Sequence, residues 1–403
     1  MQVFKGSVGT GSTGRAALGS GLAGWWLAAV LVLAGPQAAQ ALKLAVAGPE
    51  ELVAAAETMT CKGRNPRGFD VTDMPPSAFR RDDGTVILLA GNRANWFFEG
   101  PSLDAVRRTG CQSLLAPVNS PDPAQHRSHE WIFGLHSRDG RTVLGFVHNE
   151  YHGHEHGHQP CTVTNRSDYP CWYGSTTLIK SEDGGRTFAR PPAPANVLLS
   201  MPWRFTPGRL RAGATGPKVV GNPDDGRAYV LATFFDRTAG VQGGQCLLRG
   251  SGASLDDWEL WDGQRFAPYD ASPYGCTGTC AGRLADSCAP VLRGNVSSVR
   301  YVPSAKAFVA IFLARGGVMY RTSPNLIEWS APQMLWDTTL TIEHQPGGPR
   351  PAWYFSLLDP TSSSRNFDTL EGRPYLYFAR FRLDGDRINN GRRDVMRVPL
   401  RIE

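Results

Sequence analysis

Glu130-Trp131-Ile132-Phe133-Gly134-Leu135-His136-Ser137-Arg138-Asp139-Gly140-Arg141-Thr142-Val143-Leu144-Gly145-Phe146-Val147-His148 reads as two short strands around a tight turn. Apolar and β-branched residues fill both arms, and Arg138-Asp139-Gly140 supplies the polar turn between them. The pattern recurs along the chain. Ala78-Phe79-Arg80, the turn Asp82-Asp83-Gly84 and residues 85–90 make one copy. Lys218-Val219-Val220, Asn222-Pro223-Asp224-Asp225-Gly226 and residues 227–233 make another. Tyr301, the Pro303-Ser304 turn and residues 307–313 follow, and residues 354–358 with 374–380 are the last.

Each hairpin but the last is followed by a more polar unit. Ser181-Glu182-Asp183-Gly184-Gly185-Arg186-Thr187-Phe188 is the fullest, with Ser254-Leu255-Asp256-Asp257-Trp258 and Ser323-Pro324-Asn325-Leu326-Ile327-Glu328-Trp329 alongside. Ser102-Leu103-Asp104 is a weaker copy. Short polar side chains there bond their own backbone to close a turn, while the aromatic packs beneath. Glycine and proline are abundant, at 45 and 30, and no long stretch carries the 3.6-residue period of an amphipathic helix. Five copies of a double hairpin, roughly fifty to ninety residues apart, predict an all-β chain folded as a five-bladed β-propeller. Its inner strands should lie near Phe79, Ile132, Val219, Ser298 and Phe355; a β-sandwich is the alternative.

Residues 1–41 read as a signal peptide, with an uncleaved anchor as the alternative. Lys5 and Arg15 precede an apolar run over 22–34, and Ala39-Gln40-Ala41 offers a small-x-small cleavage site. Residues 42–403 then form a single domain, expected to be secreted or periplasmic and monomeric. All eight cysteines lie beyond the leader, and an exported chain favours pairing them. Cys161 with Cys171 closes a short loop and is an expected pair. Cys276, Cys280 and Cys288 can pair among themselves or reach Cys246 or Cys61, with a zinc site on Cys276 and Cys280 as the alternative. The net charge is +6 and no basic run occurs, which speaks against nucleic acid. No second long apolar segment follows the leader, so no membrane partner is expected after cleavage.

In a propeller the first strand of each blade starts at one face and the second returns to it. Residues before first strands and after second strands therefore ring one mouth. The opening positions include Asp73, His129, Glu130, Lys218, Asn295, Ser297, Arg350 and Tyr354; the closing ones include Arg93, Asp236, Arg237, Arg315 and the stretch His148-Asn149-Glu150-Tyr151-His152. That stretch begins a loop running to His158 that holds five of the nine histidines. A divalent metal on this loop is weighed against a solvated polar tip, since alternate histidines in a loop with Gly153 and Gly157 fix no geometry. No metal and no cofactor are assigned. The proximal half, His148 to His152, is placed in the site lining.

Asp73-Met74-Pro75-Pro76-Ser77-Ala78-Phe79-Arg80-Arg81-Asp82-Asp83-Gly84 resembles the opening blade of family 43 and related glycoside hydrolases. Gly317-Val318-Met319-Tyr320-Arg321-Thr322-Ser323-Pro324-Asn325-Leu326-Ile327-Glu328-Trp329-Ser330 looks like their outer-strand pattern. The resemblance implies a five-bladed propeller with Asp73 as catalytic base. It also implies an Asp and a Glu at the starts of later inner strands. Here those blades open with Gly216-Pro217-Lys218 and Gly294-Asn295-Val296-Ser297, and neither offers a carboxylate. A glycosidase needs two carboxyl groups about 5–9 Å apart, and Glu130, Glu150 and Asp236 are the replacements on this face. Ser181 to Phe188 resembles the Asp-box turn of sialidases. That second resemblance implies a propeller and nominates Arg80, Arg315 and Arg350 for a substrate carboxylate, with Tyr354 as nucleophile.

The chain is therefore read as a secreted carbohydrate-active propeller, a glycoside hydrolase acting on an extracellular glycan. Asp73, Glu130 and Glu150 are the candidate catalytic groups. Arg80, Arg93, His129, His148, Asn149, His152, Lys218, Asp236, Arg315 and Arg350 are the candidate substrate-binding groups. A non-catalytic glycan-binding propeller and a sialidase-like hydrolase are the alternatives. Asp73, Glu130, His148 and Glu150 should converge on one cavity, and crowding should raise the pKa of one carboxyl.

Overall fold

Asp139 shows how the hairpins close. Its Oδ1 accepts hydrogen bonds from the Arg141 and Thr142 amides at 2.8 Å each, and that turn feeds the strand on either side into register. The computed structural model describes residues 42–61, 70–161, 170–275, 288–314, 316–337 and 350–403. The leader, Cys276, Cys280 and Arg315 lie outside the described residues.

Among those residues the chain is all-β, with only short 3₁₀ turns between strands. Strands β1 (Leu44–Val46) and β2 (Glu51–Ala54) come first. The first antiparallel unit is β3 (Ser77–Arg80), β4 (Val86–Leu89) and β5 (Phe97–Gly100). The second is β6 (His129–His136), β7 (Val143–His152), β8 (Trp172–Ser181) and β9 (Val197–Leu199). The third is β10 (Ala212–Gly221), β11 (Ala228–Asp236) and β12 (Val241–Gly250), with the short β13 (Glu259–Trp261), β14 (Phe266–Ala267) and β15 (Leu292–Arg293). The fourth is β16 (Val296–Val302), β17 (Ala307–Ala314), β18 (Gly317–Ser323) and β19 (Gln333–Asp337). The last is β20 (Ala352–Leu358), β21 (Tyr375–Asp384) and β22 (Arg387–Ile402), and both β1 and β2 pair with β22.

The first strands neighbour one another in the cyclic order β3, β6, β10, β16, β20 and back to β3. Five antiparallel units thus stand around one axis, and Phe79, Ile132, Val219, Ser298 and Phe355 all lie on those first strands. The chain's start completes the last unit, so the outer strands missing from its sequence pattern come from β22 and from the N-terminal end. Core lies between neighbouring units. Leu144, Phe146 and Leu178 of the second pack with Val230 and Leu248 of the third; Val309, Ile311 and Tyr320 of the fourth pack with Leu357, Leu376 and Phe378 of the last. Each such side chain contributes about 1.5–3 kcal/mol when taken fully from water.

Two units are joined more closely than the repeats imply. β8 and β10 pair in parallel at Tyr173–Ala212 and Gly174–Gly213, fusing the second and third units into one sheet. Both glycines are needed for that approach. A Cβ at Gly174 would meet the Thr215 methyl at 2.3 Å, and one at Gly213 would meet the Trp172 ring at 2.7 Å.

The expected Cys161–Cys171 disulfide is present, with Cα atoms 5.4 Å apart. Cys246 pairs with Cys288, and Cys61 pairs with Cys111 rather than with the 276–288 group. The histidine loop is also more ordered than its composition implies. Residues Gly153–His156 form a 3₁₀ turn packed on the 161–171 disulfide, where a Cβ at Gly153 would meet Phe205 at 2.7 Å and Cys171 at 2.9 Å. His156 stacks on Tyr151, and Tyr151 Oη lies 2.8 Å from His158 Nε2. No helix among the described residues is long and apolar enough to cross a membrane.

Candidate active site

Starts of first strands and ends of second strands do share a face, and a cavity of about 640 Å3 opens there. Its wall takes Asp73 and Pro75 ahead of β3, Trp131 and Phe133 from β6, and His148 and Glu150 from β7. The far side takes Arg211, Lys218, Phe235, Arg237, Asn295, Trp353 and Tyr354. Aromatic faces and hydrogen-bonding groups alternate around it, a lining suited to a ligand with apolar C–H faces and hydroxyl edges.

Strand alternation decides which candidates reach this space. On β6 and β7 the residues pair as His129–Glu150, Glu130–Asn149 and Trp131–His148. With a period of two, Trp131, His148 and Glu150 share the cavity face, while Glu130 and Asn149 point away. Glu130 is buried behind the wall, held by Arg190 through Nε at 3.1 Å and Nη2 at 2.8 Å. Burial raises its pKa and Arg190 opposes the rise. Asn149 accepts from the Ser128 amide at 2.9 Å and donates to Ser175 Oγ at 3.1 Å. Both are structural, contrary to the expectation from Glu130 opening a first strand and Asn149 closing a second one.

Glu150 is the best-held carboxylate of the wall. His148 Nε2 lies 2.8 Å from Oε1, while His152 Nε2 at 2.8 Å and Trp172 Nε1 at 3.0 Å meet Oε2. The Gly216 amide donates to His148 Nδ1 at 3.1 Å, so the His148 ring presents its Nε2 proton to Glu150. Burial alone would raise the Glu150 pKa, yet the bonds from His148 and His152 hold it well below the usual value. The expectation that crowding raises the pKa of a cavity carboxyl thus fails at Glu150, because hydrogen-bond donors surround it.

A second layer stands behind Glu150. His152 reaches Glu155 through Nδ1 at 3.4 Å as well as Glu150; burial opposes its charge, but the two carboxylates lift its pKa to about 8. Glu155 is lowered to about 2, chiefly by its bond from His152. His129 bonds Glu155 at 2.9 Å and has Arg93 Nη1 3.1 Å from its Nε2; burial and the neighbouring His152 lower its pKa to about 4. His129, Glu150 and His152 bring one donor atom each within 4.8 Å of one another, the span of a metal site. In this structure His152 bonds Glu150, His129 bonds Glu155, and Arg93 stands against His129. His129, His152 and Arg93 support the wall without lining the cavity.

Asp73 comes from the opposite side. Tyr354 Oη donates to its Oδ1 at 2.8 Å, and Arg393 Nη1 meets the same oxygen at 2.7 Å. Tyr354 sits at a bulge in β20, between Trp353 and Ser356, with φ of 59°. Left-handed backbone at a bulky residue is strained and marks a position where the surrounding structure dictates the geometry. Burial and the neighbouring Asp73 raise the Tyr354 pKa, so the hydroxyl keeps its proton.

Lys218 also lines the cavity as expected, but Asp236, Arg80 and Arg350 do not. Asp236 is buried against Arg209, 2.8 Å away, on the side of β11 opposite Phe235 and Arg237. Arg80 lies at the far end of β3, reaching the Ser362 carbonyl at 3.4 Å and stacking on Phe367. Arg350 pairs with Asp394 at 3.1 Å. The arginine set nominated for a sialidase-like site is therefore not assembled among the described residues. Trp131, Phe133, Arg211, Trp353 and Arg393 were not assigned to the site from sequence. Alternation outward from Glu150 and from the first-strand starts would have found Trp131 and Phe133; Arg393 comes from β22 and carries no local signal.

No protein-family model matches the sequence, and no curated protein matches it. Among solved structures the chain is similar to an α-L-arabinanase of Cellvibrio cellulosa, at 13% identity and a TM-score of 0.43 over 83% of this chain and 91% of that one. An endo-arabinase of Bacteroides thetaiotaomicron is similar at 11% identity and a TM-score of 0.44, over 83% of this chain and 98% of that one. An exo-1,5-α-L-arabinanase from a bovine ruminal metagenomic library is similar at 11% and 0.41, over 82% and 93%. Likenesses of this size leave the chemistry to be argued from the residues of this chain.

Proposed function

We propose that residues 42–403 form an exported glycoside hydrolase that holds a glycan in the axial cavity and cleaves it there. The observation that carries this is that Asp73 and Glu150, from separate units, both line one aromatic-walled cavity. Three disulfides are consistent with export.

The roles follow from the environments. Glu150 stays ionised and steadies positive charge at the anomeric carbon as the glycosidic bond loosens. Asp73, whose two donors both meet Oδ1, accepts a proton from the attacking water. The hydroxide forms the new C–O bond, the old one breaks, and the leaving oxygen takes a proton from solvent water on the opposite face of the ring, to which Asp73 later returns its own. Tyr354 keeps its proton and holds Asp73 in place through the 2.8 Å hydrogen bond. The test is turnover of a panel of chromogenic glycosides and neutral and acidic oligosaccharides by the 42–403 chain and by Asp73→Asn. Turnover abolished in the variant supports the assignment; equal turnover by both rejects it.

A non-catalytic glycan-binding propeller is the second reading. It is favoured by the commitment of both carboxylates to internal partners, Asp73 to Arg393 and Glu150 to His148, His152 and Trp172. Binding without turnover across the same panel would decide for it.

A further inference from the structure

Lys218 is the least explained charge in the molecule. It is 7% exposed, it lines the axial cavity, and its hydrogen bond to Asn295 Oδ1 is 3.4 Å long. Asn295 Oδ1 is already engaged by Thr233 Oγ1 at 3.0 Å. No carboxylate among the described residues forms an ion pair with Nζ, and desolvation alone lowers its pKa to about 7. A buried amine without a counter-charge is costly, and folds rarely keep one for stability.

The carboxylates of the cavity do not offset this amine. Both cavity carboxylates have internal partners, Asp73 with Arg393 and Glu150 with His148 and His152. Arg211 lies on the same side as Lys218, its guanidinium 4.3 Å from the Trp172 ring and 5.6 Å from Phe235. Arg237 is exposed at the rim and forms no ion pair among the described residues. Arg300, buried beside a smaller void of about 20 Å3 that Lys218 also lines, does not add to this charge: burial pushes its pKa down to about 10, but Asp368 stands near as its counter-charge. Tyr354, the other titratable group facing the cavity, is neutral.

The geometry points to an anionic sugar as the ligand: a ring carboxylate or sulfate seated on Lys218 Nζ, with Arg211 and Arg237 on the same wall. This rests on the glycan reading of the cavity and names the class of glycan. The anion supplies the charge that the fold withholds. A uronate carboxylate or a sulfate ester offers the same acceptor oxygens to an ammonium and to guanidinium forks. Because the free amine is largely neutral above about pH 7, seating an anion takes up a proton there.

The test is calorimetric binding to the 42–403 Asp73→Asn chain, to prevent turnover. The ligands are a uronate oligosaccharide, a sulfated oligosaccharide and a neutral arabino-oligosaccharide. The expected result is binding of a charged oligosaccharide near pH 6 that weakens by about tenfold per pH unit above about pH 7. Adding Lys218→Met should weaken it about tenfold or more and remove the pH dependence, while Lys218→Arg should restore binding without pH dependence. An unchanged or higher melting temperature for Lys218→Met shows that the lysine is not needed to fold. Preference for uronate or for sulfate identifies the source of the anion, and either supports the inference. Equal binding of the neutral and charged sugars, or charged binding indifferent to Lys218, overturns it while leaving the glycan reading intact. Absence of binding by every oligosaccharide overturns both.

Discussion

The two sides of the axial cavity come from the same kind of hairpin yet handle charge in opposite ways. On the β6–β7 side, Glu150, Glu155 and His152 neutralise one another through hydrogen bonds, with Trp172 and the Gly216 amide completing the set. On the β10–β11 side, Lys218 and Arg237 face the cavity with no ion-pair partner among the described residues. A self-neutralised wall holds its groups in one geometry and asks nothing of a ligand. A wall left positive is incomplete until something binds. The difference separates the part of the site that positions from the part that selects.

The largest expected effect probes the positioning side. Glu150→Gln removes the charge that holds His152 as a cation, and turnover of any substrate found should fall by about 100- to 10,000-fold. The His152 pKa, followed by NMR, should fall from about 8 in the same variant. An unchanged pKa would show that the wall does not act as a unit.

Lys218→Met probes the other side and should stabilise the fold by about 1–4 kcal/mol near neutral pH, read by denaturant unfolding. The sign follows from the depressed pKa, about 7 against 10.5 for an ordinary lysine. Below pH 7 the native state carries the full cost of a buried ammonium. From 7 to 10.5 the unfolded chain binds the proton and the native state does not, so the cost fades. The gain in the variant should therefore shrink across that window.

His152 predicts the opposite slope. Its pKa is raised from 6.5 to about 8, so its contribution, about 2 kcal/mol, is complete below pH 6.5 and lost as pH rises through 8. His129, lowered to about 4, loses stability instead as pH falls from 6.5 toward 4. Urea midpoints of His152→Asn and wild type should converge above pH 8. The smallest effect is at the rim: Arg237→Ala should move stability by no more than about 0.5 kcal/mol, while weakening any anionic ligand.

Much of the fold was legible because hairpins are local. Turn residues and a period of two mark strands wherever they fall, and every expected inner-strand position lies on a first strand. The last unit was incomplete in sequence because its outer strands come from both ends of the chain, β22 pairing with β1 and β2. Placement of Asp73, His148, Glu150 and Lys218 around one mouth followed from topology. Rejection of Glu130, Asn149 and Asp236 was available from alternation, since each sits one residue from a cavity-lining neighbour.

What the sequence determined by itself is thus the set of repeating units and the face on which their ionisable ends gather, because both depend on residues close along the chain. Tertiary structure decided how far those groups are held. Glu150 is bonded by His148 and His152 from its own strand, but the His148 ring is turned by Gly216 and Trp172 reaches in from β8, while Asp73 is held by Arg393, 320 positions away. Lys218 is left without a counter-charge because no carboxylate among the described residues pairs with it. Charge and burial depend on what packs alongside, and that is set by the closing of the ring, not by the local pattern.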